Sequence, residues 1–316
     1  MEMKTDVVIP ILKRDLQSFL RAYPYILENL PARNIILIGG SNVENAAKRL
    51  DRVKFIHEDS IEPGLTLDAV RRLKKELSGS TRHAGWYFQQ FLKMAYARLS
   101  DCDYYLVWDA DTIPINKIDF FDRSGRPYLA YRDFVPEDKC YNPTQESLLP
   151  GKALKKQVRK SFIAEHMLVK TGIMKELLDR LEANHDVPGR AFFEKIMHCV
   201  PQRYINLSGF SEFELYAAFV LKYHPDTYVQ RKWNNLRNAK TYVGPSPDGN
   251  DLRWISTAFD TVSLEDFDRY WFVCRIIKLA DKERKKVPFS KVYSLLSPVE
   301  RLYMRACNIA RDIVKR

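Results

Sequence analysis

Short apolar runs and helical repeats follow one another through the first 115 residues. Residues 6–12 (DVVIPIL), 34–38 (NIILI) and 54–56 are apolar and largely β-branched, which is typical of buried strands. Residues 15–30 and 65–77 place apolar side chains at helical spacing instead. This alternation predicts an α/β fold with a largely parallel, mixed sheet flanked by helices.

A stronger helical repeat leads into the most informative part of the chain. Residues 86–99 (WYFQQFLKMAYARL) carry apolar side chains every three or four positions. The apolar run 103–108 (DYYLVW) follows and predicts a strand that continues into Asp109 and Asp111. Ligands of such sheets collect at the carboxyl ends of the strands, so these acidic residues occupy a favourable place for a site.

The second half of the chain is less regular. The pattern predicts a strand over 161–169, helices over 173–182, 192–199 and 210–223, and a loop over 244–250. Ser211 with Glu214, and Ser297 with Glu300, have the spacing of capping boxes and predict helix starts.

Length and composition indicate a globular protein. The chain has 316 residues, of which 46% are hydrophobic and 29% charged. Its 5 cysteines include no CxxC pair, and the start of the chain lacks the pattern of a signal peptide. We expect a cytoplasmic protein with a catalytic domain over 1–272, divided into a nucleotide-binding half (1–115) and an acceptor half (116–272), followed by a basic helical tail (273–316).

The charge is concentrated near the end of the chain. The net charge is +11, and residues 275–316 alone contain twelve Lys or Arg against four Asp or Glu. A basic amphipathic helix is suited to the headgroups of an anionic membrane, so we expect a peripheral protein at the inner face of the cell membrane. The alternative is a helix packed on the catalytic domain. The uneven charge gives no indication of a nucleic-acid partner.

Asp109-Ala110-Asp111 is the sharpest chemical signal. In a continuing strand the two carboxylates would point to the same side and converge on one cation. Paired carboxylates are hard oxygen ligands suited to Mg²⁺ or Mn²⁺, with phosphate oxygens completing the shell. The plainer interpretation is a polar strand end with solvated carboxylates.

Five stretches of the chain resemble a poorly characterised, DxD-containing family of bacterial glycosyltransferase-like proteins. They are DVVIPILKRD (6–15), GWYFQQFLKM (85–94), YYLVWDADT (104–112), FIAEHMLV (162–169) and SGFSEFELYA (208–217). The resemblance implies a GT-A-like, Rossmann-like fold and transfer of a sugar, of the polysaccharide-biosynthesis type, from a nucleotide sugar such as a UDP-sugar to a glycan or lipid-linked acceptor. It also implies that Asp109 contacts the donor ribose or the metal through water, and that Asp111 ligates the metal directly.

A nucleotide-binding set is predicted around the same place. Arg82, Gln89 and Lys93 could present a guanidinium, an amide and an ammonium to the phosphates or the base. Trp108 and Pro10, near the ends of two predicted strands, complete this set. The alternative for the helix residues is a solvated face.

Four further residues are candidates for roles that the resemblance implies. Glu212 would be the catalytic base, with Glu214 either a second catalytic carboxylate or a helix cap. His166 would line the sugar pocket or be a core histidine, and His224 would be the third metal ligand or a histidine favoured by a helix carboxyl end.

Two other classes remain open. A nucleotidyl or phosphoryl transferase could use the same Asp pair, although no GxxxxGK[ST] or GxGxxG motif follows the first strand. A non-catalytic, membrane-associated scaffold would use only the basic tail.

Overall fold

The protein is described by a computed structural model that covers residues 5–264, 277 and 286–314. The strands are β1 (Thr5–Pro10), β2 (Ala32–Gly39), β3 (Val53–His57), β4 (Tyr104–Trp108), β5 (Thr112–Pro114), β6 (Tyr128–Asp133), β7 (Lys160–Ser161), β8 (His166–Lys170), β9 (Val229–Lys232), β10 (Asn235–Leu236) and β11 (Thr261–Ser263). The helices are α1 (Leu16–Asn29), α2 (Ser41–Ala47), α3 (Leu67–Ser78), α4 (Ala84–Leu99), α5 (Asn142–Ser147), α6 (Thr171–Ala183), α7 (Phe192–Cys199), α8 (Gln202–Ile205), α9 (Glu212–Tyr223), α10 (Lys240–Val243), α11 (Gly249–Ser256) and α12 (Phe289–Val314).

The central sheet confirms the predicted α/β class. Its strand order is β3-β2-β1-β4-β8, in which the first four strands are mutually parallel and β8 is antiparallel to β4. The helices α2, α4 and α6 pack against its strands. All residues of β1 are buried, which explains its continuous apolar sequence.

The chain forms two compact units that are discontinuous in sequence. The described residues of the first unit are 5–19, 31–110 and 119–233. The second contains 20–30, 111–118 and the described residues from 234 onward. The predicted halves and tail do not coincide with these units, so their functional assignment stays a prediction.

The strand predicted over 161–169 is interrupted. Ser161 ends β7, which pairs with β6, whereas β8 begins at His166 and joins the central sheet. Glu165 stands between them with a φ of 59°, a conformation that no strand continues through. The predicted loop over 244–250 also ends early, because the Asp248 side chain caps α11 by accepting from the amides of Asn250 and Asp251.

The last helix begins earlier than its capping sequence predicts. It starts at Phe289 and continues through Pro298, so Ser297 is an interior residue and not the N-cap. Phe289 is fully buried within the second unit, where its ring contacts those of Tyr242 and Trp254. Burial of this aromatic side chain stabilises a helical turn that the local sequence alone does not favour.

A different face of α12 exposes apolar side chains. Leu295, Val299 and Leu302 recur at helical spacing and are 73%, 44% and 66% exposed. Residues 273–276, 278–285, 315 and 316 of the predicted basic tail lie outside the described residues. Among the described helices, none is long and apolar enough to span a bilayer.

Candidate active site

The carboxyl ends of four parallel strands meet at one edge of the central sheet. Pro10, Gly39, His57 and Trp108 end β1 to β4 there. A side chain at Gly39 would place a Cβ 2.6 Å from the carbonyl oxygen of Ile11, so a glycine is needed for the chain to pass closely at this edge.

A cavity of about 340 Å³ opens at this edge, within the first unit. Pro10 and Gln89, two residues of the predicted nucleotide-binding set, line it. Its size lies within the range of small-molecule sites. A nucleotide-binding role for the two residues stays a prediction.

Sequence reasoning missed several polar and aromatic residues of the cavity. Glu58 follows β3 directly, and His83 and Trp86 belong to the start of α4; all three line the cavity. Burial, followed by the nearby Asp59, raises the pKa of Glu58. The position of Glu58 just beyond a parallel strand was the available signal, because such strand ends lie at the ligand-binding edge.

Lys93 lies at the centre of a charged cluster beside the sheet edge. Its ammonium contacts Asp109 Oδ1 at 2.8 Å and Glu212 Oε1 at 2.9 Å. The Lys93 side chain is only 4% exposed and that of Glu212 also 4%, whereas that of Asp109 is 30% exposed. Burial lowers the pKa of Lys93, but the two carboxylates outweigh it and hold that pKa above its ordinary value.

Gln90 supports the same cluster from α4. With its amide nitrogen turned toward Glu212, it donates to both carboxylate oxygens, at 2.9 Å to Oε1. Burial raises the pKa of Glu212, and Lys93 partly offsets the effect. Lys93 and Gln90 therefore bind the carboxylate of Glu212, the predicted base. These contacts compensate for the burial of its charge in the interior of the protein.

The Glu214 carboxylate makes tertiary contacts, and a catalytic role for this residue stays a prediction. The Ser211 hydroxyl accepts from the Glu214 amide, as the capping sequence predicts. The Glu214 carboxylate does not return to Ser211: Oε1 accepts from the Phe162 amide at 2.9 Å and Oε2 pairs with Lys156. Glu214 thus connects the amino end of α9 to residues 156–162.

The carboxylate pair lies in a turn and not in a continuing strand. β4 ends at Trp108, the Asp109 amide donates to Glu165 O at 3.0 Å, and Ala110 and Asp111 form the turn before β5. The predicted continuation of the strand through Asp109 and Asp111 is therefore wrong. Asp109 lies in a segment of the first unit that ends at Ala110, and Asp111 begins a segment of the second, where its carbonyl accepts from the Leu264 amide.

His166 is a buried aromatic-core residue beside Trp108. Its Nδ1 donates to the Ala164 carbonyl at 2.8 Å, and its ring centre lies 4.0 Å from that of Trp233. Burial lowers the pKa of His166 to about 3, so the ring is neutral near pH 7. These contacts match the core alternative, and a catalytic role for His166 stays a prediction.

Three predicted ligand residues lie in surroundings that differ from those expected from the sequence. Arg82 is exposed in the turn before α4, because the helix begins only at Ala84. Trp108 is 0% exposed and cannot stack on a ligand.

His224 is the third. It caps the end of α9 opposite Glu212 and bonds Glu176 at 2.8 Å. The 12 residues of α9 separate the two ends by roughly 18 Å, which excludes His224 from a shell containing Asp109.

A second group of potential metal ligands lies at the opposite edge of the sheet. Within the described part of the chain, Asp6, Asp101 and Cys102 bring three ligand atoms within 4.8 Å of one another. Arg33 pairs with both carboxylates. Burial tends to raise the pKa of Asp6, but hydrogen bonds from Arg33, Asn34 and Tyr96 hold it below its ordinary value. These partners give the group the character of an ion-pair network.

Comparison with known proteins yields one family and several distant folds. A family model described as a family of unknown function (DUF6492) matches residues 35–243. No curated protein matches the chain.

The fold is similar to the apo form of glycosyltransferase GlyE of Streptococcus pneumoniae TIGR4, with 13% identity, a TM-score of 0.41, and coverage of 94% of this chain and 64% of GlyE. This chain thus spans less than two thirds of GlyE. It is also similar to galactosyltransferase LgtC in complex with donor and acceptor sugar analogues (12% identity, TM-score 0.39, 88% of this chain and 96% of LgtC). The bifunctional glycosyltransferase WbbM gives 9% identity, a TM-score of 0.44, and coverage of 85% and 47%.

Proposed function

The chain belongs to the family of unknown function DUF6492, and we propose that it is a metal-dependent glycosyltransferase that uses a nucleotide-diphosphate sugar. The observation that carries the proposal is the Lys93–Asp109–Glu212 cluster, which adjoins the sheet edge where the cavity opens. A partly exposed carboxylate, a buried cation and a nucleoside-sized cavity within one unit suit the binding of a charged, sugar-bearing ligand.

We assign the divalent cation, Mn²⁺ or Mg²⁺, to the turn that contains Asp109 and Asp111. The donor set is suitable, because carboxylate oxygens are the ligands these ions prefer and the Asp109 side chain keeps 30% of its surface exposed. When bound, the cation would supply neutralisation of the diphosphate charge that develops as the sugar is transferred.

The protein's own residues would orient the donor and fix the local charge. Pro10, Gln89 and Trp86 offer an apolar and amide surface for the nucleoside in the cavity. Lys93, bonded to Asp109 Oδ1, restrains that carboxylate, and Glu212 restrains Lys93 in turn. Glu212 therefore acts in this proposal as a positioning residue, which revises the expectation of a catalytic base.

The acceptor would be a glycan or lipid-linked sugar, as expected for polysaccharide biosynthesis. The protein would then work in the cytoplasm, peripherally at the inner face of the membrane. The exposed apolar face of α12 is consistent with contact to lipid headgroups.

The test is slow donor hydrolysis without acceptor. Incubating the protein with Mn²⁺ and a panel of nucleotide sugars is expected to release nucleoside diphosphate, and Asp111→Asn is expected to lower the rate at least about a hundredfold, the scale of losing one transition-state contact. Thermal stabilisation by UDP with Mn²⁺ is expected to disappear in the same variant.

Two controls separate the alternatives. Asp226→Asn removes an exposed carboxylate from the first unit and is expected to leave both signals unchanged. Pyrophosphate exchange in place of nucleoside diphosphate release would indicate a nucleotidyltransferase, and an unchanged Asp111→Asn variant would remove the metal assignment.

A further inference from the structure

The wall of the donor cavity carries polar side chains that no protein group satisfies. Glu58, His83 and Gln89 line the cavity and are only partly exposed. Within the described ranges of the chain, none of the three side chains makes a hydrogen bond or a salt bridge. Their hydrogen-bonding partners therefore come from solvent or from a bound ligand.

The position of Glu58 is fixed by the end of β3. Glu58 follows the last residue of this strand and begins a single 3₁₀ turn. The His57 imidazole accepts from the Asp59 amide at 3.3 Å, and the Ser60 hydroxyl donates to the His57 carbonyl at 2.8 Å. Glu58 Oε1 lies 3.7 Å from the place that a Cβ at Gly40 would occupy, so the carboxylate leans over the end of β2.

Glu58 and Asp109 lie at different places along the edge of the central sheet. β3 is separated by β2 and β1 from β4, the strand that leads into Asp109. Neighbouring strands are about 4.8 Å apart, so three spacings place the ends of β3 and β4 roughly 14 Å from one another. With the diphosphate and the transferred sugar at Asp109, the nucleoside is the part of the donor that reaches Glu58.

A carboxylate is suited to only part of a nucleoside. When ionised it has two acceptor oxygens and no donor. The ribose 2′- and 3′-hydroxyls are neighbouring donors that can meet both oxygens, whereas the imide N–H of uracil is flanked by two carbonyl oxygens that a carboxylate repels. Acidic residues at strand ends hold the ribose of dinucleotides in this way in other parallel sheets. The Trp86 indole and the Gln89 amide remain for the base.

We propose that Glu58 binds the ribose 2′,3′-diol of the donor nucleotide and makes the cavity selective for ribonucleotides over 2′-deoxyribonucleotides. This inference rests on the proposed function, since it names a specificity-determining residue for the donor of that site. A ligand without the hydroxyl leaves the carboxylate in the cavity without a partner, and this loss is the source of the discrimination.

The experiment measures dissociation constants by isothermal titration calorimetry with Mn²⁺ present. The ligands are the tightest-binding of UDP, GDP, CDP and ADP, and the 2′-deoxy form of the same diphosphate. The wild type is expected to bind the 2′-deoxy form about tenfold more weakly, the size of one hydrogen bond to a charged group in a partly exposed site. Glu58→Ala is expected to bind the two forms equally, because the acceptor that distinguishes them is gone.

The matched control is Asp59→Ala. Asp59 is exposed, stands next to Glu58 and does not line the cavity, so its variant is expected to keep the tenfold preference. Both substitutions remove one negative charge from the same turn, so their comparison separates hydrogen bonding from charge. The preference is a ratio of two constants in one protein, and a general loss of stability does not change it.

Each contrary outcome has its own meaning. Equal binding of the two forms by the wild type, or an unchanged preference in Glu58→Ala, would overturn the assignment and leave the proposed function standing. Loss of the preference in Asp59→Ala as well would show a charge effect in place of a hydrogen bond. A preference for GDP that Glu58→Ala removes, with no effect of the 2′-hydroxyl, would assign the carboxylate to guanine. Failure of the wild type to bind any of the four diphosphates would refute the proposed function itself.

Discussion

At the scale of single residues, the structure shows Lys93 in an environment different from the one that the sequence predicts. In the sequence it is a helix residue that could reach phosphates, whereas in the fold it is buried between Asp109 and Glu212. Taking charges out of water costs several kcal/mol unless partners compensate, so each member of the cluster depends on the others.

We expect Lys93→Met to lower the free energy of unfolding by about 3–5 kcal/mol, because it leaves buried Glu212 without its cation. Adding Glu212→Gln to Lys93→Met is expected to cost less than the two single changes together, with a coupling of at least about 1 kcal/mol. Urea unfolding of the four proteins measures this cycle.

The matched control is the exposed pair Asp68 and Arg71 of α3, 3.0 Å apart. Its double replacement, Asp68→Asn/Arg71→Met, is expected to change stability by less than about 1 kcal/mol. Additive effects at Lys93 and Glu212 would contradict the description of a coupled buried cluster.

At the scale of elements, the amino end of α9 organises the candidate site. Ser211 caps the helix, Glu212 faces Lys93, and Glu214 reaches the Phe162 amide and Lys156. The capping sequence predicts the helix start correctly but only half of the capping box, because the Glu214 carboxylate is used in a tertiary contact. The carboxylate binds the Phe162 amide and Lys156, which are distant in sequence, instead of the backbone of Ser211.

We expect substitutions at the two residues of the predicted capping box to lower the free energy of unfolding by different amounts. Ser211→Ala should lower the free energy of unfolding by about 1 kcal/mol, the usual value of a lost cap. Glu214→Ala should cost about 3 kcal/mol or more, because it leaves the buried Phe162 amide and the Lys156 ammonium without their acceptor. Urea unfolding measures both, and equal losses would contradict the tertiary role of the Glu214 carboxylate.

At the scale of the whole molecule, the described chain forms two units, and α12 belongs to the second. Phe289 and Tyr293 of this helix contact one another and the Tyr242 ring, whereas Leu295, Val299 and Leu302 are exposed. The same helix therefore packs within the second unit and exposes an apolar face. The two alternatives drawn from the sequence, membrane contact and packing on the protein, are not exclusive.

We expect Leu295→Ser/Leu302→Ser to weaken binding to phosphatidylglycerol vesicles at least about tenfold, because each leucine that enters a membrane contributes roughly 1.5–3 kcal/mol. The control is Leu99→Ser/Leu207→Ser, which removes two leucines of the first unit that are 49% and 52% exposed. Vesicle flotation compares the two. Equal binding by all three proteins would exclude this face from lipid contact.

The sequence by itself determined most of the elements around the central sheet. The predicted runs 34–38 and 54–56 lie within β2 and β3, and the helix over 192–199 matches α7. Apolar runs and helical repeats are local signals, so one short window suffices to detect them. β6 and β9 mix apolar and polar residues without a clear repeat, and α2 and α5 are short, so none of the four was predicted.

Only the tertiary structure decided which candidate residues come together. Residues 93, 109 and 212 are far apart in sequence, and ion pairing in the fold joins them, while the length of α9 separates His224 from Glu212. The direction of a carboxylate and the burial of a cation depend on neighbours that the folded chain supplies, and no local pattern encodes them.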